Sequence, residues 1–362
     1  MQKSILLDAT HFEWGAPTGV ERYVDALLPP LSAQLVAAGC EVFWVGHNSQ
    51  RTDKIPRDVQ WVHSLYVRGW SQIGISRLMS TGRYGAYFTP SGNVPLGRSF
   101  KRAMTVHDLA FMRQPAAYSR SQLLRLRWWG PRAARASARL VVPSAFVAAD
   151  LERYWHIPME RVAVVPHGPL AQPSSEPYTA IPQDLPLILY VGRIERKKNL
   201  TTLVQAFDQL ATPARLLVVG GDGFGAGEVR HLIATLSPEK KARVHVPGFL
   251  SDSQLRWLFE QAAAVAVPCP EEGFGFPVLD GFAAKAPVVV AAAGGAAEVA
   301  GSGGYPVDPF APAAWAEAFE QVLKGKGVAE RLITAGSKRL RDFSWKKSGE
   351  GTATTLLTLL DQ

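Results

Sequence analysis

Short runs of consecutive apolar residues, each closed by a small, polar or proline residue, recur at 4–8, 42–46, 103–107, 140–143 and 162–166, and again at 187–192, 216–221, 244–247, 264–268 and 288–292. None alternates apolar with polar, so each predicts a strand buried on both faces, as in a parallel sheet covered by helices. Segments of helical spacing stand between many of them: Leu200, Leu203, Val204, Phe207 and Leu210 share one face, as do Leu255, Leu258, Phe259 and Ala262. Strand, helix, strand repeated in this way predicts an α/β fold of doubly wound parallel sheets. A polar, proline-containing stretch at 170–186 divides the pattern into two units. The expected organisation is a first domain at 1–170, a second at 171–342, and a C-terminal helix at 343–362 for which the first domain is a candidate docking surface. Ser344 is expected to cap that helix, with Leu356, Leu357, Leu359 and Leu360 apolar near its end. Ligands bind beyond the carboxyl ends of parallel strands, so the loops after these runs are expected to face a cleft between the domains. A single barrel of eight strand–helix units is the competing architecture; the polar linker and the glycines gathered after the later strands count against it.

The chain has 362 residues, 47 % of them hydrophobic, enough for two buried cores. Lys and Arg number 39 against 31 Asp and Glu, a net charge of +8 that suits an anionic partner: a nucleotide diphosphate, an acidic lipid headgroup or a nucleic acid. The two cysteines, Cys40 and Cys269, lie far apart and match neither a disulfide framework nor a zinc-ligand spacing, which predicts a reducing compartment and no structural metal. The run Ile5-Leu6-Leu7 is too brief for a signal peptide, and nowhere do about 18 uncharged apolar residues follow one another. A cytoplasmic protein is expected, with peripheral attachment to the cytoplasmic face of the inner membrane left open.

The densest chemistry is Pro270-Glu271-Glu272-Gly273-Phe274-Gly275-Phe276-Pro277-Val278-Leu279-Asp280, directly after the run at 264–268. Gly273 and Gly275 let a ligand approach the backbone closely, and Pro277 suits the first turn of a helix whose free N–H groups attract phosphate. Carboxylates at the mouth of an anion site, here Glu272 and Asp280, suit sugar or ribose hydroxyls. The same spacing also describes a plain strand-to-helix turn whose glycines only permit the bend. In Tyr190-Val191-Gly192-Arg193-Ile194-Glu195-Arg196-Lys197-Lys198-Asn199-Leu200, Arg193 closes a buried strand and Lys198 falls where the next helix begins. Two cations so placed can neutralise a diphosphate, and no Asp-x-Asp pair offers to hold a metal for the task. Taken alone, Arg196, Lys197 and Lys198 also read as an ordinary solvated charge run.

Gly192-Arg193 followed by Lys198-Asn199, then Glu272-Gly273-Phe274-Gly275-Phe276-Pro277-Val278-Leu279, resembles the retaining GT-B glycosyltransferases of family 4, and the resemblance covers nearly the whole chain. Asp8, Thr18-Gly19-Val20-Glu21-Arg22-Tyr23, Val106-His107-Asp108-Leu109, Val142-Pro143-Ser144 and Val165-Pro166-His167-Gly168 are similar to bacterial mannosyl- and rhamnosyltransferases that build O-antigens and other polysaccharides. The resemblance implies two Rossmann-like domains facing across a cleft, the first for the acceptor and the second for a nucleotide-diphosphate sugar. It implies that Arg193 and Lys198 grip the donor diphosphate, that Glu272 sits by the donor sugar, and that the Gly273, Phe274 and Gly275 amides meet its hydroxyls. Val278 and Leu279 belong to the same donor motif. Asp280 stands where the family usually has a Glu bonding the ribose, a departure of one methylene. Leu250, in Gly248-Phe249-Leu250, resembles the turn flanking the nucleotide base, and Glu298-Val299-Ala300-Gly301 a later motif that usually begins with proline, here Ala297. Gly19 is a candidate for bringing N–H groups to the donor phosphate or the acceptor, or is a plain loop glycine. His107 is a candidate for bonding a donor-sugar hydroxyl or sharing a proton near the reacting centre; a structural role is the alternative, and His167 equally suits packing alone. The implied chemistry is transfer with retention by a front-face route, without cofactor or metal, the departing phosphate being stabilised by Arg193, Lys198 and helix N–H groups.

Between residues 109 and 149 stand Arg113, Arg120, Arg125, Arg127, Arg132, Arg135 and Arg139, with no Asp or Glu. Arg120, Arg125, Arg127 and Arg132, interleaved with Leu123, Leu124, Leu126, Trp128 and Trp129, form a basic amphipathic segment, a candidate surface for an anionic bilayer carrying a lipid-linked acceptor. A helix packed by its Leu and Trp face, with arginines in water, is the alternative. Nucleic acid is not an expected partner, since no nucleic-acid module accompanies the charge. The expected function is transfer of mannose, rhamnose or a related deoxysugar to a glycan or polyprenyl-linked saccharide in surface polysaccharide synthesis. A sugar-nucleotide epimerase or hydrolase of the same fold, and a non-catalytic nucleotide-sugar-binding subunit, are the alternatives. A dinucleotide dehydrogenase is disfavoured because no Gly-x-Gly-x-x-Gly follows the strand ending at Asp8.

Overall fold

The computed structural model describes residues 3–12, 19–47, 53–64, 69–97, 100–170 and 173–361; Thr18 of the motif beside Gly19 lies outside the described residues. The first sheet comprises β1 (Ser4–Asp8), β2 (Glu41–Gly46), β3 (Val59–His63), β4 (Ala86–Thr89), β5 (Lys101–Thr105), β6 (Arg139–Val142) and β7 (Val162–Val164), in the order β3-β2-β1-β4-β5-β6-β7. The second comprises β8 (Leu187–Val191), β9 (Arg215–Val219), β10 (Val244–Gly248), β11 (Ala262–Val267), β12 (Val288–Ala291) and β13 (Gly304–Val307), in the order β10-β9-β8-β11-β12-β13. Their pairings are parallel throughout. Both orders are doubly wound and reverse once, between β1 and β4 and between β8 and β11; in open parallel sheets ligands bind beyond the carboxyl ends of the strands at such a reversal.

The apolar runs coincide with ten of these strands, and β3, β4 and β13 are additional. Edge position explains two of them. β3 needs only one neighbour and fully buries only Val59, while β13 carries Pro306, which an edge strand tolerates. β4, Ala86–Thr89, is central and buried throughout. In the second core, Leu200, Leu203, Val204, Phe207 and Leu210 lie together against the sheet as their spacing predicts. Each large apolar side chain so buried contributes about 1.5–3 kcal/mol.

The chain divides into two compact units: Met1–Leu109, Leu124–Gly168 and Phe343–Gln362 in one, Ala110–Leu123 and Pro169–Asp342 in the other. Ala110–Leu123 groups with the second sheet although its place in the chain is inside 1–170. Arg196 Nη1 donates to Ala116 O at 2.8 Å, and Lys197 Nζ lies 5.7 Å from the Tyr118 ring centre. The last helix, Trp345–Asp361, is capped by Ser344, whose Oγ accepts from Lys347 N at 3.2 Å. It packs within the first unit against the helix Gly19–Ala37 and buries Ser348, Thr352, Leu356 and Leu359.

Candidate functional site

At the reversal of the second sheet the loops leaving β8 and β11 meet. Beyond Val191 come Gly192 and Arg193, a single 3-10 turn at Arg196–Lys198, and the helix Leu200–Gln209. Beyond Val267 the chain runs to Gly275, which precedes the helix Phe276–Ala283 with φ of 93° and makes no side-chain cap; Pro277 stands in the first turn. Glycine takes that φ at no steric cost, and the Val278 N–H that follows donates back to Gly275 O at 3.0 Å. Lys198 Nζ donates to Glu272 Oε2 at 2.5 Å, a contact between residues 74 positions apart. Burial works against the ammonium, but the Glu272 carboxylate outweighs it and holds the Lys198 pKa well above the ordinary lysine value. Arg193 is half exposed, with Nη1 3.1 Å from Glu195 Oε1 and Nη2 donating to Asp222 O at 3.3 Å.

The neighbouring cations are engaged elsewhere. Arg196 pairs with Glu228, and Lys197 lies 4.0 Å from Glu195 Oε2 as well as over Tyr118. Each of the three basic residues in a row thus has a partner, and Arg196 is exposed while Lys197 and Lys198 are half-buried. Glu271, beside Glu272, lies 3.4 Å from Arg113 Nε. Gly295, at the start of the helix Gly294–Ala300, donates its N–H to Glu272 O at 2.6 Å, and a Cβ there would stand 2.1 Å from Gly273 O. Phe274, Val278 and Leu279 have buried side chains, so main-chain groups are what they offer a ligand. Asp280 lies half-buried about one turn into its helix. Leu250 follows β10, half-buried, whereas Phe249 is 78 % exposed and its ring covers Gly221. Glu298 lies in the helix Gly294–Ala300, and its carbonyl accepts from Arg339 Nη2 at 3.1 Å.

Two residues of this region carry no role in the sequence reading. Asn199 Nδ2 donates to Pro268 O at 3.1 Å and to Pro309 O at 2.6 Å. Cys269 Sγ donates to Lys197 O at 3.2 Å, and burial, with Glu272 nearby, pushes its thiol up to about 12. Asn199 has φ of 57°, and an Asn where a loop turns into a helix is the available signal, because Asn accepts the left-handed region more readily than most residues.

In the first unit Asp8 ends β1 beside Thr89 at the end of β4. Asp8 is 2 % exposed and accepts from Thr10 N at 3.0 Å, Thr10 Oγ1 at 2.6 Å, Tyr87 OH at 3.0 Å and Thr89 Oγ1 at 2.9 Å. Its carboxylate thus ties the two strand ends together. His107 follows β5, and its Nε2 lies 2.8 Å from Pro90 O. A carbonyl only accepts, so Nε2 carries the proton and Nδ1 of the neutral ring is the acceptor. Burial lowers the His107 pKa below the usual histidine value, opposed by Pro90 and Asp108. Tyr23 stands edge-on to His107 at 4.9 Å between ring centres, lies 4.3 Å from His167, and bonds Thr105 Oγ1 at 3.0 Å. His167 stacks on Trp345 at 5.8 Å, and burial drives its pKa well below the usual value. Gly19 opens the helix Gly19–Ala37 at an exposed position where a Cβ would meet nothing within 4 Å, so packing does not require glycine there.

The basic segment forms the helix Arg120–Ala136. Leu124 is 72 % and Trp128 52 % exposed, and Arg132 lies 4.5 Å over the Trp128 ring. Arg120, Arg125 and Arg127 are exposed, whereas Leu123, Leu126 and Trp129 are half-buried. The inward Leu and Trp face thus holds for the last three and not for Leu124 and Trp128. Among the described residues no helix is long and apolar enough to cross a membrane, and no group of three or more His, Cys, Asp or Glu is gathered to hold a metal ion.

Two doubly wound units in series, with the final helix returned to the first, constitute the GT-B fold. A sucrose-phosphate synthase from Thermosynechococcus elongatus shares it, with a TM-score of 0.76 at 21 % identity over 99 % of both chains. Residues 17–168 match the family model described as Glycosyltransferase Family 4, and residues 172–339 the model described as Glycosyl transferases group 1. The two glycosyltransferase models thus fall one on each doubly wound unit of the fold. A D-inositol 3-phosphate glycosyltransferase from Xylanimonas cellulosilytica is 32 % identical over 59 % of this chain and 55 % of its own, so the chain spans about half the length of the first curated relatives it matches. An O-antigen chain mannosyltransferase B from Escherichia coli is 23 % identical over 73 % of this chain and 72 % of its own.

Proposed function

We propose that this protein is a retaining glycosyltransferase that moves a hexose from a nucleotide-diphosphate donor to a saccharide acceptor. The observation that carries the reading is the Lys198–Glu272 pair at the reversal of the second sheet, beside an uncapped helix start. Arg193 and Lys198 take the diphosphate, and Glu272, released from its ammonium partner, turns to sugar hydroxyls. The amides of Gly273, Phe274 and Gly275 meet the sugar hydroxyls, Val278 and Leu279 belong to the same donor motif, Asp280 bonds the ribose and Leu250 flanks the base. Cleavage of the sugar–phosphate bond builds positive charge on the ring and negative charge on the departing oxygen. Guanidinium, ammonium and helix N–H groups stabilise the second of these. The departing phosphate oxygen takes the acceptor's proton on the face it leaves, which preserves configuration. His107 serves through Nδ1, as acceptor of a sugar hydroxyl.

Mannose, rhamnose or a related deoxysugar is the proposed donor sugar, supported by the mannosyltransferase relative and by the motifs shared with enzymes of O-antigen synthesis. A polyprenyl-linked saccharide is the proposed acceptor. The exposed Leu124 and Trp128 among Arg120, Arg125, Arg127 and Arg132 support attachment to an anionic bilayer, at about 1 kcal/mol for each basic residue near the surface.

The test is incubation with GDP-, UDP- and dTDP-sugars, with and without lipid-linked acceptor. Acceptor-dependent release of nucleotide diphosphate, persisting in chelator, is the expected result. Isomerised sugar nucleotide would indicate an epimerase, and binding without turnover a non-catalytic subunit. A nucleotide at 100 times its dissociation constant raises stability by roughly 2.7 kcal/mol, so a thermal-shift panel finds the base first.

A further inference from the structure

Three consecutive residues of the loop after β8 each bond to the loop after β11. Lys197 O accepts from Cys269 Sγ at 3.2 Å, Lys198 Nζ donates to Glu272 Oε2 at 2.5 Å, and Asn199 Nδ2 donates to Pro268 O at 3.1 Å. Asn199 does more than its neighbours. It is 8 % exposed, its amide nitrogen donates again to Pro309 O at 2.6 Å, and its amide oxygen accepts from Thr202 Oγ1 at 2.8 Å. Two carbonyls can only accept, so the nitrogen must face them and the oxygen must face the hydroxyl. One neutral side chain thereby ties together the loops that follow β8, β11 and β13.

We propose that Asn199 is the positioning residue of the donor site, holding the two loops at a fixed separation so that Lys198 and Glu272 stay in register when a diphosphate draws the ammonium away from the carboxylate. This rests on the reading of Lys198 as a diphosphate ligand. The ion pair cannot keep the loops together in the bound state, because the substrate displaces it. The bonds of Asn199 go to main-chain carbonyls, carry no net charge and survive that exchange. Other residue types fail for separate reasons. Asp has no donor and would set a carboxylate against two carbonyl oxygens. Ala loses the clamp and strains the left-handed backbone, whereas Gly loses the clamp alone.

Asn199→Gly therefore isolates the clamp. Binding of UDP, GDP and dTDP by calorimetry, turnover and Tm are measured for the wild type, Asn199→Gly, Asn199→Asp, Thr202→Val and Lys198→Met. Lys198→Met is expected to weaken diphosphate binding. Asn199→Gly is expected to bind about tenfold more weakly and to lose tenfold to a hundredfold in kcat, the scale of a displaced reacting group. Asn199→Asp should lose at least as much, and Thr202→Val less in the same direction. With lysines carrying 13C-dimethyl labels, the Lys198 resonance should titrate above the other lysines in the wild type and move toward them in Asn199→Gly. Wild-type binding, turnover and Lys198 titration in Asn199→Gly would overturn the proposal and leave the diphosphate reading standing; unchanged binding in Lys198→Met would overturn that reading itself. Should Asn199→Gly not fold, Thr202→Val decides, and wild-type turnover together with wild-type Lys198 titration in it is the overturning result.

Discussion

Lys198 and Arg193 are both paired with carboxylates, yet they are held very differently. Lys198 is largely covered and bonded to Glu272, whereas Arg193 is half exposed beside Glu195. A diphosphate must displace a covered pair in the first case and a solvated one, worth little by itself, in the second. Replacing Lys198 by Met should therefore weaken nucleoside-diphosphate binding more than replacing Arg193 by Met, and the double variant should abolish binding measurable by calorimetry. Equal binding by the double variant and the wild type would refute the assigned grip. His167 offers a separate prediction. Its folded pKa lies well below 6.5, so as pH falls beneath 6.5 the unfolded chain takes up a proton that the native state refuses. The stability held above that pH is lost on the way down. Tm of the wild type should fall between pH 6.5 and 5, and His167→Phe should flatten that slope while retaining a ring against Trp345. A slope unchanged by the substitution would show that His167 does not cause it.

The loops act as units because backbone meets backbone. Gly295 lets the start of its helix touch the Glu272–Gly273 segment, and the next heavy atom in its way is a main-chain oxygen, which has no rotamer by which to move aside. Gly295→Ala should displace that segment, destabilise the protein by about 1–3 kcal/mol and weaken donor binding. Denaturant melts and calorimetry check both; a stable variant with full donor affinity would show that the approach does not shape the site. The basic helix is decided at the same scale. Its helical turn sends Leu123, Leu126 and Trp129 inward and leaves Leu124 and Trp128 outside, a division that the mixture of Leu, Trp and Arg along the chain does not display.

For the whole molecule the net charge of +8 and the exposed Leu124–Trp128 face predict adsorption to vesicles. Cosedimentation should be strong with phosphatidylglycerol vesicles at low salt, weak with phosphatidylcholine, and reduced by raising ionic strength. Leu124→Ser with Trp128→Ser should lower it without changing donor binding. Adsorption that ignores both headgroup charge and the double substitution would remove the membrane reading.

Two doubly wound parallel sheets follow from the sequence itself, because a strand buried on both faces is continuously apolar and leaves a run that local inspection finds, though the central β4 left none. Edge strands escape that rule: β3 and β13 have an open side, and their residues carry less apolar signal. The carboxylates and cations of the candidate site are equally visible as residue types, and Glu272, Arg193 and Lys198 stand out in their segments. Which charge meets which is another matter. Lys198 finds Glu272, Arg196 finds Glu228, and Asn199 reaches the carbonyls of Pro268 and Pro309 only once separate strands lie side by side. Hydrogen bonds and ion pairs between residues many tens of positions apart depend on distances that chain order does not contain. Hydrophobic period is a local property of the chain, and pairing is a property of the packed sheet.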